Sequence, residues 1–254
     1  MLGQVKSVIS GFSAYFKVIP LFSRLKLWRY VLLTALIALG LILIFVPIAY
    51  LLGTAIVALI ENTWSAQFSG LARWLTRLIS LTIALAFLVV FALVFKHILL
   101  VASAPWMGKV AERVRHYIAP QELPQVKPLQ SLTARSLRLN LRLVGKELLY
   151  STPLLLLTLI PGVNLVSSVA LFVVQSFYVG VGALDYSVER DYDYRGSIAF
   201  YDAHKGLSTG IGVGFVLLLL TGVGVMLAPA WSAAAGAWAY GQIDQSQTPA
   251  EPTV

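Results

Sequence analysis

Residues 153–184 read PLLLLTLIPGVNLVSSVALFVVQSFYVGVGAL, a run without a charged side chain, and the Pro161-Gly162 pair inside it decides the fold. Proline removes a helical donor and clashes with the preceding turn, whereas glycine accepts the left-handed backbone of a turn. The pair leaves one arm too short to cross a bilayer and one, from Asn164 to Leu184, just long enough. Region 207–242 repeats the arrangement: STGIGVGFVLLLL leads into Thr221-Gly222-Val223-Gly224, and VMLAPAWSAAAGAWAYG follows, with Pro229 early in that arm. Two readings fit. Each region is one kinked span, or each is a hairpin that enters the membrane and returns, its apex at the break. Non-helical backbone at depth is tolerated only where protein or a water-filled cavity surrounds it, and broken apolar segments in corresponding positions point to transport sites.

Upstream lie two uninterrupted apolar runs. No charge occurs between Arg29 and Glu61, so the first span covers 30–60. A helix of that length is about 45 Å long against a hydrocarbon core of about 30 Å, which predicts tilt or a bend near Pro47. The second span covers 78–104: Leu78 to Phe95 is free of charge, and ILLVASA continues it to Pro105, with Lys96 and His97 expected at the interface. Composition agrees with the runs. Of 254 residues, 58% are hydrophobic and 12% charged, whereas soluble domains carry about 25% charged residues. With a mean hydropathy of +0.81, this excludes an ordinary soluble enzyme and a disordered chain. The absence of cysteine excludes disulfide scaffolds and thiolate metal sites.

The formal charge of +8 is unevenly placed. Residues 1–29 carry Lys6, Lys17, Arg24, Lys26 and Arg29 and no acid. Block 105–150 carries Lys109, Arg113, Arg115, Lys127, Arg135, Arg138, Arg142 and Lys146 against three glutamates. Connection 61–77 has only Arg73 and Arg77 as bases. The positive-inside rule puts the N-terminus and the basic block in the cytoplasm. Segment 185–206 is mixed in charge, and 243–254 reads as a disordered tail. Within 1–29, Leu2, Val5, Val8, Ile9, Phe12, Phe16 and Ile19 recur at helical steps, the mark of an amphipathic helix lying in the interface or packing on the cytoplasmic part. Helices are expected at 106–117 and 132–150, around a Pro-bearing loop.

Chemistry-bearing motifs are few. His97, His116 and His204 have no second ligand at metal-site spacing, so neither a metal nor a cofactor is expected. No acid, base and nucleophile gather at an interface, and no enzyme activity is expected. Gly206, Gly210 and Gly214 at four-residue spacing predict close helix packing. Arg24, Lys26 and Arg29 precede the first span, whose opening amides lack partners. Such a terminus beside cations suits a tetrahedral oxyanion, and equally fixes topology or binds lipid head groups. Asp185-Tyr186 reads either as an interfacial boundary or as a polar partner for the basic block.

The order of features resembles the CysZ family of bacterial sulfate permeases, within a superfamily that includes etoposide-induced-protein relatives. Carrying it are Ala104-Pro105-Trp106-Met107-Gly108, Ala111-Glu112, Lys146-Glu147 with Pro153, Ile160-Pro161-Gly162-Val163, Asp185-Tyr186, and the Gly222–Pro229 apex with its small-residue arm to Trp238. The resemblance implies an all-α integral membrane protein: two long transmembrane helices and two partly penetrating hairpins (152–184 and 207–242) within a single domain, 1–242. It further implies sulfate uptake for cysteine synthesis, homo-oligomeric assembly in the bacterial inner membrane, and an anion site between the first helix and first span. There the family expects a glycine and an arginine pair; here Lys26 stands at the glycine, Trp28 at the first arginine and Arg29 at the second.

The expectation is therefore a multi-pass oxyanion permease with cytoplasmic termini and lipid and sulfate, but no nucleic acid, as partners. Arg24, Lys26 and Arg29 are its anion-binding residues. Pro161, Gly162, Asn164, Gly222, Gly224 and Pro229 mark its pathway or hairpin apices. The rival is a non-transporting membrane scaffold that interacts with lipid.

Overall fold

The computed structural model describes residues 2–64, 71–120, 129–158, 160 and 162–247. They form α1 (Leu2–Lys17), α2 (Ile19–Arg24), α3 (Trp28–Trp64), α4 (Leu71–Ile118), α5 (Leu129–Leu157), α6 (Asn164–Val188), α7 (Tyr194–Ala203), α8 (Lys205–Leu220) and α9 (Gly224–Gln247), with no strand among the described residues. Two of these helices are long and apolar enough to cross a membrane, at Trp28–Leu59 and Asn164–Val188. Only 17% of the most apolar window of the first is buried, and Leu32, Leu36, Leu43 and Leu51 point outward, as lipid-facing residues do. Helix α4 carries 78–104 without interruption and continues through Pro105; at 1.5 Å per residue it is about 72 Å long and must extend well past one face of a bilayer.

Both broken regions are hairpins. Helices α5 and α6 pack on each other, with Tyr150 stacked on Tyr178 nearer the turn and Arg135 bonded to Asp185 at the far end, an antiparallel register. Their turn uses Gly162 at φ 88°, a conformation that costs an L side chain about 1–2 kcal/mol. Helices α8 and α9 also pack together across the short break at Thr221–Val223, where Gly222 has φ 73°. The Thr221 hydroxyl accepts from the Gly224 amide at 3.0 Å. Pro161 lies outside the described residues.

Small residues fix how the hairpins meet. A methyl group on Gly180 would overlap the Ser208 carbonyl, and one on Gly212 the Ser176 carbonyl. Pairing 180 with 208 and 176 with 212 makes α6 and α8 antiparallel, so both hairpin turns lie at the same end of the molecule. The opposite face of α8 carries Gly206, Gly210 and Gly214 against Gln4, Val8 and Tyr15 of α1, the close packing that their four-residue spacing predicts.

Two local expectations need correction. Block 105–150 and hairpin 152–184 do not meet at an element boundary, because α5 runs through Pro153 and supplies the first arm from 129 to 157; a proline forfeits one helical hydrogen bond, which the packed helix absorbs. The tail begins later than 243, since α9 continues to Gln247 with Ile243 packed against the core; residues 248–254 lie outside the described ones. Helix α1 packs on α8 and leaves much of its expected apolar stripe open. Gly11, Ala14, Tyr15 and Val18 are buried, while Val5, Ile9 and Phe16 remain more than half exposed, because small residues allow the closer approach to α8.

Candidate anion site and a buried charge network

The segment Ser23-Arg24-Leu25-Lys26-Leu27-Trp28-Arg29-Tyr30 turns the chain from α2 into the first span. Phe22 and Leu27 sink into the core; the Leu27 amide donates to the Phe22 carbonyl at 2.9 Å, and the Phe22 ring lies between Trp28 and Trp231. Burying both apolar residues across so short a turn requires a left-handed residue between them, and Lys26 supplies it at φ 53°. Helix α3 then begins, and the amides of Trp28 and Arg29, like the first amides of any helix, lack an intrahelical carbonyl.

Helix α4 grips this turn. Arg113 Nη1 donates to the Leu25 carbonyl at 3.0 Å, and Arg24 Nη1 to the Tyr117 hydroxyl at 3.1 Å. The Tyr30 ring has two guanidinium carbons near it, Arg29 at 5.1 Å and Arg113 at 5.4 Å. Between turn and helix opens a cleft of about 620 Å³ lined by Leu25, Tyr30, Lys109, Glu112, Arg113 and His116. Glu112 is engaged by Arg190 at 2.8 Å, which leaves the wall positive. Of the expected anion-binding residues, Arg24, Lys26 and Arg29 are exposed around the turn and are not among the lining residues. The cleft's own cations were missed by the sequence reading, although Lys109 and Arg113 recur at a helical step on one face of α4.

The expected pathway residues gather elsewhere. Gly162 and Asn164 at one hairpin turn and Gly222 at the other are exposed, Gly224 and Pro229 are buried in α9, and around the turns Leu165, Val166, Leu220 and Val223 are each at least two-thirds exposed. Helix α9 rises from its turn beside the first span, with Thr34 Oγ1 at 3.0 Å from the Met226 carbonyl oxygen.

At the other end, the mixed-charge segment folds onto the basic block. Arg135 donates to both carboxylate oxygens of Asp185 at 3.0 Å, Tyr201 donates to Asp185 at 2.5 Å, and Ser136 donates to Glu189 at 3.2 Å. Arg115 pairs with Asp191 at 3.0 Å, which also accepts from the Tyr240 hydroxyl at 2.6 Å. Of the two readings of Asp185-Tyr186, the polar partner is the one observed. Burial, reinforced by the neighbouring Asp185 carboxylate and offset by Arg135, pushes the Glu189 carboxyl up to about 7.

Lys96 and His97 point into the protein. Both are buried, and both meet Glu147 of α5, which pairs with Lys96 and lies 2.6 Å from His97 Nε2. Sequence reading missed this because the acid is about fifty residues away. Among the described residues, no group of three potential metal ligands forms.

The fold thus defines a helical membrane protein: apolar helices long enough to span, two hairpins turning at one end, and a charge network at the other. The family model described as Sulfate transporter CysZ/Etoposide-induced protein 2.4 matches residues 14–241, nearly the whole chain. The chain belongs to that family. No curated protein matches it.

Proposed function

We propose that this chain passes a small oxyanion, sulfate first, across the bacterial inner membrane and so supplies cysteine synthesis. The observation that supports the reading is the basic cleft beside the opening amides of α3, walled by Lys109, Arg113 and His116. A tetrahedral dianion suits this place, because helix amides and guanidinium groups replace its hydration with fixed donors. Arg24, Lys26 and Arg29 would gather the anion from solution, and Arg113, already bonded to Leu25, would hold the receiving turn in shape.

The apolar side chains left open at both hairpin turns support a route between the hairpins of neighbouring copies, with Pro161, Gly162, Asn164, Gly222, Gly224 and Pro229 along it. In this arrangement the charge network and both termini lie on the cytoplasmic side, as the distribution of Lys and Arg favours.

Radiolabelled sulfate uptake into proteoliposomes tests the reading. Wild type is expected to exceed empty vesicles severalfold, and Arg29→Ala and Arg113→Ala to lose most of that excess. No uptake above empty vesicles, with the purified oligomer intact, overturns it in favour of a lipid-interacting scaffold.

A further inference from the structure

A second cavity, of about 470 Å³, lies away from the α2–α3 turn, among α5, α6, α7 and α8. Its volume is in the range of pockets that hold small molecules. The two halves of its lining differ in chemistry. Leu143, Val173, Phe177 and Val181 contribute apolar walls, whereas Arg142, Lys146 and Lys205 contribute cations. All three cations are exposed, and the one acid in the lining, Asp202, is 3.7 Å from Lys205, so the rim stays positive. Arg142 Nη1 reaches the Tyr194 hydroxyl at 3.4 Å, a contact that uses one of its five donors.

A free hydrated anion gains nothing from the apolar walls, and a neutral hydrocarbon gains nothing from the rim. The complementary molecule is an amphiphile with a phosphate head. Its source follows from where the walls lead. Val173 is on α6, which is long and apolar enough to cross a membrane and on which Val169, Val166 and Leu165 are also largely exposed towards the hairpin turn, a strip along which an acyl chain can lie. Tyr150 and Tyr178, stacked with ring centroids 6.4 Å apart, also line the pocket; tyrosine is favoured where a membrane passes from tail to head group.

We propose that this pocket holds one anionic glycerophospholipid, its phosphate on Arg142, Lys146 and Lys205 and an acyl chain along α6. The site is separate from the cleft at the α2–α3 turn and does not depend on what the chain transports.

Native mass spectrometry of the full chain, delipidated in detergent and titrated with phosphatidylglycerol, tests this. Parallel arms use phosphatidylcholine of the same chains and inorganic phosphate. The Arg142→Gln/Lys146→Gln variant is expected to lower phosphatidylglycerol occupancy roughly tenfold or more. Lys6→Gln/Lys17→Gln, which removes the same charge from α1, is expected to leave it unchanged. Val174→Phe, which fills the pocket from α6 without altering charge, is expected to reduce binding as well, with thermal unfolding confirming that each variant is folded. Equal loss in the Lys6/Lys17 control, equal occupancy by phosphatidylcholine, or displacement by millimolar phosphate overturns the proposal. So does a lipid-free dimer that the pocket variants dissociate, since the occupant would then be a second copy.

Discussion

Arg135 and Asp185, fifty residues apart in sequence, meet through two parallel hydrogen bonds, each 3.0 Å, that close the end of the α5–α6 hairpin opposite its turn. The Asp185 side chain is 3% exposed and that of Arg135 12%. A pair this buried is costly to desolvate, so its removal as a unit is tolerated far better than the loss of one member. Arg135→Ala strands the carboxylate and is expected to destabilise the protein by about 3–5 kcal/mol. Arg135→Met with Asp185→Leu is expected to cost clearly less than the two single changes combined. Thermal unfolding in detergent reads both, and strict additivity would show that the pair is not coupled.

The junction of α6 with α8 leaves no room for a side chain at Gly212, where a methyl would overlap the Ser176 carbonyl. Backbone on each side must then move. Gly212→Ala is expected to destabilise by about 1–3 kcal/mol, the usual range for overpacking. Gly40, on the spanning part of α3, has nothing within 4 Å of a built Cβ, and Gly40→Ala is expected to be neutral or slightly stabilising. Comparable losses in the two variants would mean that close approach does not govern Gly212.

Glu189 imposes a pH dependence. Its folded carboxyl, at about 7 against an ordinary 4.5, holds its proton more tightly than the unfolded chain does. Stability therefore falls as pH rises from about 4.5 to about 7 and levels off above, the opposite of an acid whose pKa is lowered by folding. Glu189→Gln keeps an acceptor for Ser136 and removes the titration. Its unfolding midpoint relative to wild type is expected to improve from pH 5 to pH 8. A constant difference across that interval rules out Glu189 as the source.

These tests also mark what was readable beforehand. The breaks were written in Pro161-Gly162 and in Thr221-Gly222, because breaking a helix is a local matter of donors and φ, but a kinked span fits the same residues and only the packing of α5 on α6 and of α8 on α9 selects the hairpin. Close packing of α8 was written in the spacing of Gly206, Gly210 and Gly214, though not that α1 is the partner. The partners of Asp185 and Glu147 were not, since many basic residues are available and only the packing of α4, α5 and α6 selects Arg135 for one and Lys96 for the other. Arg113 falls between these cases. Its charge was counted in the basic block, but its bond to Leu25 spans 88 positions and depends on how α4 passes the turn.

Lys26 connects stability to the proposed anion site. It holds φ 53° at the position where the family resemblance expects glycine, and a left-handed L residue costs about 1–2 kcal/mol. Lys26→Gly relieves that strain but adds freedom to the unfolded chain worth about 0.4–1 kcal/mol. The net expectation is stabilisation by about 0.5–1 kcal/mol. Lys26→Ala removes the same charge and keeps the strain, so it is expected to gain nothing. If charge at this turn recruits the anion, both variants lower sulfate uptake alike, while only the glycine variant raises the unfolding midpoint. If instead the backbone alone receives the anion, Lys26→Gly keeps or raises uptake and Lys26→Ala does not. An alanine variant as stable as the glycine one would remove strain from the account of this turn.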